Sequence, residues 1–164
     1  MRPAGALLAL VGAVELALAL YLGAGGASAP VEPWQAVVLA AIPLTALIAG
    51  VGSVVARRRE AGSSRTKQVA GGLGLLVGVA GTLLGVALAF YASWLVWGGF
   101  DDVAWSIRVG QFALACAVPI AAGLLARTSF PLLRQGRGLS APLVGLAAAA
   151  AALGGWVLTF FDWW

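Results

Sequence analysis

Residues 70–97 read AGGLGLLVGVAGTLLGVALAFYASWLVW. The stretch holds no charged side chain and exceeds the roughly 20 apolar residues that cross a bilayer as a helix. Its first half carries Gly71, Gly74, Gly78, Gly81 and Gly85, spaced 3, 4, 3, 4. On a helix those steps fall on one stripe, as in a heptad seam. A stripe without side chains lets a second helix approach closely, which is how helices bind one another in lipid. The second half is bulky, with Phe90, Tyr91, Trp94 and Trp97. The expectation is a helix that is thin at one end and thick at the other, with its neighbours arranged around that taper.

The rest of the chain has the same character. Of 164 residues, 62% are hydrophobic and 10% charged, where soluble domains carry about 25% charged residues. The mean hydropathy is +0.99. Reading outward from residues 70–97, apolar runs place helices at about 4–24, 34–56, 69–97, 107–126 and 140–161. The predicted fold is therefore all-α, a five-helix transmembrane bundle forming a single domain over 1–164. Ala27-Ser28-Ala29 resembles a signal-peptidase site, but the preceding apolar run is longer than a signal core and contains Glu15, which favours a retained first helix. Pro43 and Pro119 fall near the middle of the second and fourth helices and should kink them. Asp101 or Asp102 should cap the fourth helix, and Ser140 the fifth. Arg127 to Gly138, with three arginines, Pro131 and Gly136, reads as a loop.

Charge predicts the topology. Arg2, the loop 57–67 and the loop 127–138 share one side, with nine basic residues and one acid, net +8. Glu32, Asp101, Asp102, Asp162 and Arg108 share the other, net −3. The positive side is expected to be cytoplasmic, so a cell-membrane protein would have its N-terminus inside and its C-terminus outside. Leu-Val-Gly recurs at 10–12, 76–78 and 143–145, always in the inner half of an outward-running helix. Together with the two proline-bearing return helices, this is what a hairpin duplication would leave.

The functional signals are sparse. The chain has no histidine, which excludes bis-histidine haem, histidine-ligated zinc and a Ser-His-Asp triad. The single cysteine, Cys116, lies in an apolar run and reads as a small core residue. No phosphate-cradling loop, intramembrane aspartate pair or serine nucleophile with a base is visible, so neither an enzyme nor a cofactor or metal is implied. The net charge of +4 comes from loops beside membrane helices and does not point to nucleic acid.

Three features remain. The first is a one-sided aromatic distribution. Tyr21, Trp34, Phe90, Tyr91, Trp94, Trp97, Phe100, Trp105, Phe112, Trp156, Phe160, Phe161, Trp163 and Trp164 map to the outer half, and only Phe130 to the inner end. Helices close-packed on glycine inside and spread by aromatics outside would form an outward-facing cup. Tyr91, Trp94, Trp97 and Trp156 would line it, around a lipid, a quinone-like ring or a partner helix.

The second feature is Glu15, in mid-membrane beside the small-residue stripe Gly5, Ala9, Gly12, Ala19, Gly23. It should face other helices, as a neutral acid, with Thr45 and Thr82 at its depth. The third is the basic set Arg57, Arg58, Arg59, Arg65 and Lys67, which should attract anionic lipid headgroups.

The expected function is a non-enzymatic membrane component, either an accessory or scaffold subunit or a binder of an apolar ligand. The alternative is a small proton-coupled transporter or channel centred on Glu15. The expected partners are membrane lipids, with another membrane protein or a second copy of the chain as further candidates.

Overall fold

A computed structural model describes residues 2–26, 32–56, 65–98 and 104–161. It contains five α-helices: α1 (Arg2–Tyr21), α2 (Pro33–Ala56), α3 (Arg65–Trp97), α4 (Trp105–Gln135) and α5 (Ser140–Phe161). A π-turn, Leu22–Gly26, follows α1. All five helices are long and apolar enough to cross a membrane, and the protein is a multi-pass membrane protein. The end of the bundle bearing Arg65, Lys67 and Arg137 is called the basic end below, and the end bearing Trp34, Trp97 and Trp105 the aromatic end.

The helices form two antiparallel hairpins, α1–α2 and α3–α4, and α5 lies between them. It packs on α1, α2 and α4, whereas α3 packs along α4 and barely meets α5. The helix at the centre is therefore α5, and the glycine-rich α3 is peripheral. The reason lies in how small residues are distributed. The glycines of α3 form one stripe and can serve one partner. The six alanines at 147–152 and Gly145, Gly154 and Gly155 leave α5 slim on every side. Its buried positions accordingly go round the helix, at Gly145, Ala147, Ala150, Ala151 and Gly154. Only 11% of the most apolar stretch of α3 is buried within the chain, against 28–33% for the other helices.

Both hairpins pack through glycine. In α1–α2, Gly12 lies against the backbone of Pro43 and Leu47, and Gly50 against that of Gly5 and Ala9. In α3–α4, Gly85 lies against the Pro119 ring. Both proline-bearing helices run unbroken through their prolines. The three Leu-Val-Gly glycines all sit at close approaches, Gly12 on Leu47, Gly78 on Ala126 and Gly145 on Leu125. However, Gly12 faces the proline of its hairpin, whereas Gly78 is seven residues away from Gly85, the glycine that does so in the second. The shared tripeptide marks close packing, and the hairpins are out of register as copies.

Helix ends differ from expectation on α3 and α4. The fourth helix does not stop at 126 but continues through Arg127 and Pro131 to Gln135, and α3 begins at Arg65 instead of 69. The seam explains both extensions: Leu132 and Leu133 pack onto Gly71, and Ser129 onto Gly74, so each helix supports the other beyond its most apolar part. The N-cap position of α4 is Ala104, without a side-chain cap, and Asp101 and Asp102 lie outside the described residues. Glu32 starts α2. Its backbone N–H donates to the Gln35 side chain (2.9 Å), half of a capping box, with Pro33 in the favoured first position.

Gly136 ends α4 in the left-handed region (φ 62°), and its N–H donates to the Leu132 carbonyl at 2.8 Å. A Cβ is strained there. Gly136→Ala should lower stability by about 1–2 kcal/mol, read as a fall in melting temperature in detergent. Substitution at Gly110, where a Cβ would meet nothing within 4 Å, should not do this.

Candidate functional site

The seam between α3 and α4 sets the geometry of the nearest cavity. Along α3, Gly71 lies opposite Leu132 and Leu133, Gly74 opposite Ser129, Gly78 opposite Ala126, Gly81 opposite Ala122 and Gly85 opposite Pro119. The buried positions then continue as Ala92 and Val96. Gly71, Gly78, Gly85 and Ala92 keep a seven-residue repeat, the period of a left-handed coiled packing. On its other side α4 meets α5, with Gly145 against the Leu125 backbone.

Because α3 and α5 both rest on α4 but scarcely on each other, a groove runs between them. Its upper part, about 210 Å³, is walled by Val77, Gly81 and Leu84 of α3 and Leu146 and Leu153 of α5, with Ile42 and Thr45 of α2 at the rim. Its lower part, about 260 Å³, runs past Ala70, Leu73 and Gly74 on one side and Leu139, Pro142 and Leu143 on the other. Val77, Leu125 and Leu146 line both parts, so the groove is continuous. From Ala70 to Leu84 and from Leu139 to Leu153 is fourteen residues, about 21 Å of helix. The lining is aliphatic, and Thr45 is the one hydroxyl in it.

The aromatic wedge of the sequence reading does not form. Phe90, Tyr91, Trp94 and Trp97 lie off the seam, exposed on the outside of α3, while small Ala92 and Val96 occupy the seam at that depth. The aromatics do not hold α3 and α4 apart, because none of the four lies between them. Tyr91 and Trp94 stack (6.4 Å), and Trp97 meets Trp105 edge-on (6.1 Å), tying the aromatic ends of α3 and α4. Trp156 is half-buried on α5. None of these four proposed cup residues, Tyr91, Trp94, Trp97 or Trp156, lines either part of the groove.

Glu15 is buried, 8% exposed, and faces the bundle. Its carboxyl fills the hollow left by two missing side chains on α5. A Cβ on Gly154 would stand 2.7 Å from Oε2, and one on Gly155 3.3 Å from Oε1. Ile42 of α2 and Leu114 of α4 flank the same two glycines, so four helices meet at this point. Oε2 has no hydrogen-bond partner. The two threonines expected nearby are turned elsewhere. Thr45 is exposed at the groove and donates to the Ala41 carbonyl of its own helix (2.8 Å). Thr82 faces Gly123 of α4 and donates to the Gly78 carbonyl (2.7 Å). Depth alone paired them with Glu15, but rotation about the helix axis separates them.

Sequence reading missed Gln111. It is buried on α4, and its Nε2 donates to the Thr159 carbonyl of α5 at 3.4 Å. The signal was there, as a glutamine inside an apolar run. Ser129, fully buried against Gly74, lies in the stretch 127–138 whose arginines, proline and glycine read as a loop.

At the basic end, Arg65 is exposed and Lys67 half-buried on the first turn of α3; Arg57, Arg58 and Arg59 lie outside the described residues. Among the described residues no cluster of three His, Cys, Asp or Glu side chains could hold a metal ion. A scan against protein-family profiles matches none, and searches of curated proteins and of solved structures find no match.

Proposed function

We propose that this chain is a non-enzymatic multi-pass component of the cell membrane that holds an elongated apolar guest, a lipid chain or a molecule of similar shape, along its α3–α5 groove. The groove carries this reading. It is open on its side, aliphatic, about 21 Å long and floored by rigidly packed α4. In that role the protein serves as an accessory or scaffold subunit, its site filled from the bilayer. The charge split of +8 against −3 supports a cytoplasmic basic end.

The proton-coupled reading has one observation in its favour, the unpartnered Oε2 of Glu15. The packing of Gly154, Gly155, Ile42 and Leu114 around that carboxyl opposes it, since none of these offers a relay group. Two measurements test the proposal. Delipidated protein should melt several degrees higher after readdition of a membrane lipid extract, and an unchanged melting temperature would sink the guest-binding role. In proteoliposomes, parent and Glu15→Gln should both give no proton flux above the lipid background. Flux in the parent that Glu15→Gln abolishes would establish the transporter instead. A reporter fused after Trp164 should be active outside the cytoplasm only.

A further inference from the structure

We infer that the outer face of α4 holds the phosphate of an anionic phospholipid from the leaflet at the basic end, between Arg127 and Arg134 and beside the Phe130 ring. This face lies across α4 from the groove, and the site is independent of any guest there.

Three helices end at one level, which marks the membrane surface. Gly145 opposite Leu125 puts Ser140, the first residue of α5, level with Phe130 on α4. Gly52 against Leu143 brings Ala56, the last residue of α2, to about the same level. Gly5 against Gly50 and Ser53 brings the start of α1 there too. A backbone in hydrocarbon must stay helical to satisfy its own hydrogen bonds, so helices stop together where water begins. The fourth helix runs on through that level to Gln135. Arg127 is three residues to its membrane side, about 4.5 Å, and Arg134 four residues beyond it, about 6 Å. A headgroup layer is about 5–8 Å thick. Arg134 therefore stands within that layer and Arg127 just beneath it.

Rotation about the helix axis turns both arginines to lipid. The buried positions of α4 include Val118, Ala122, Leu125, Ser129 and Leu132. At about 100° per residue, Arg127 and Arg134 fall within about 20° of each other and on the side opposite those five. Ile120, Leu124 and Phe130 share that side and are exposed. The face is thus aliphatic at the depth of lipid tails and cationic at the depth of headgroups. Arg134 lies over the Phe130 ring, 5.2 Å from its centre. It leans toward the N-terminus of its helix, which here is toward the membrane. Stacking occupies the flat face of a guanidinium and leaves the donors at its edge for a phosphate. Phe130 is the one aromatic that the sequence places at the inner end. From below, the long stem of Arg127 lets its charge snorkel outward, so the two cations converge near Phe130. Among the described residues no acidic side chain lies at this end to neutralise them. Arg127 lies too deep for an acidic soluble protein, which leaves a lipid as the anion. A zwitterionic lipid carries its own cation and gains less.

The test counts lipids retained by the purified full chain in detergent, by native mass spectrometry. The probes are dioleoyl phosphatidylglycerol and dioleoyl phosphatidylcholine, added separately. A basic residue at an anionic headgroup is worth about fivefold in affinity, so the parent should retain phosphatidylglycerol at least about fivefold better. Arg127→Gln and Arg134→Gln should each lower its retention about fivefold and leave phosphatidylcholine unchanged. Both side chains are exposed, and the melting temperature without added lipid should not move. Phe130→Leu and Arg134→Lys keep every charge but lose the stack, and they too should lower phosphatidylglycerol retention. Arg137→Gln removes an exposed charge of the same end and should leave retention at the parent level. Equal retention of the two lipids by the parent would overturn the site. So would an equal loss in Arg137→Gln, or parent-like retention in Phe130→Leu and Arg134→Lys, since either would mean that the basic end attracts anionic lipid only through its overall charge.

Discussion

Gly78→Leu should melt the α3–α4 hairpin out of the bundle, with a loss of stability at or above the upper end of the 1–3 kcal/mol range for overpacking. A Cβ on Gly78 would stand 2.5 Å from the Ala126 backbone nitrogen and 2.8 Å from its Cα. Those atoms belong to a helix backbone and cannot swing aside, so the whole of α4 must move away. Displacing α4 disturbs every contact it makes, including the approach of Gly145 to Leu125 that joins the second hairpin to α5. Gly85→Leu should behave alike, since a Cβ there meets the Pro119 ring at 2.7 Å. Gly81→Ala should be milder: its Cβ would meet the Ala122 methyl at 3.1 Å, where a few tenths of an ångström suffice. Leu83, 69% exposed on the lipid side, supplies the control, and Leu83→Phe should melt like the parent. The measurement is a set of melting curves in one detergent. If Gly78→Leu and Leu83→Phe melt together, the seam is not where the stability of this hairpin resides.

The second large effect belongs to Glu15→Lys. The carboxyl fits the hollow of Gly154 and Gly155, flanked by Ile42 and Leu114. A lysine would place a longer, strongly hydrated cation there with no acid to meet it. A lysine at the centre of a membrane helix costs about 2.5–3.5 kcal/mol on insertion scales. The site adds a steric penalty, because the hollow holds a carboxyl and no more. The expected result is loss of α1 from its place against α5, seen as low yield and early melting. Glu15→Gln keeps the size and a polar end and should melt close to the parent and well above Glu15→Lys. Stability of Glu15→Lys equal to that of Glu15→Gln would mean that the side chain reaches water or lipid headgroups, and the burial argued above would be wrong.

Much of this architecture is written in short-range pattern. Five spans follow from apolar length, because a backbone in lipid must satisfy its own hydrogen bonds as helix. The seam on α3 follows from glycine spacing, because a helix brings steps of three and four onto one face. The burial of Glu15 follows from cost, since an acid in mid-membrane turns toward protein. In each case the rule acts within one helix, so one helix is enough to apply it.

What tertiary structure decided is how the faces are paired and rotated. A stripe of glycine says that a neighbour comes close but not which one; here α4 takes it, and α5, slim on all sides, becomes the centre. Thr45 and Thr82 share the depth of Glu15 in sequence counting, yet each turns to its own backbone, and the acid meets Gly154 and Gly155 instead. The aromatics suggested a cup at one end; rotation of α3 by its seam carries them outside, and the opening appears as an aliphatic groove where α3 and α5 share α4 without meeting. Depth along a membrane helix is set by its own sequence and the bilayer, whereas azimuth is set by which small-residue face another helix accepts. A groove between two helices exists only once a third has fixed the azimuth of both.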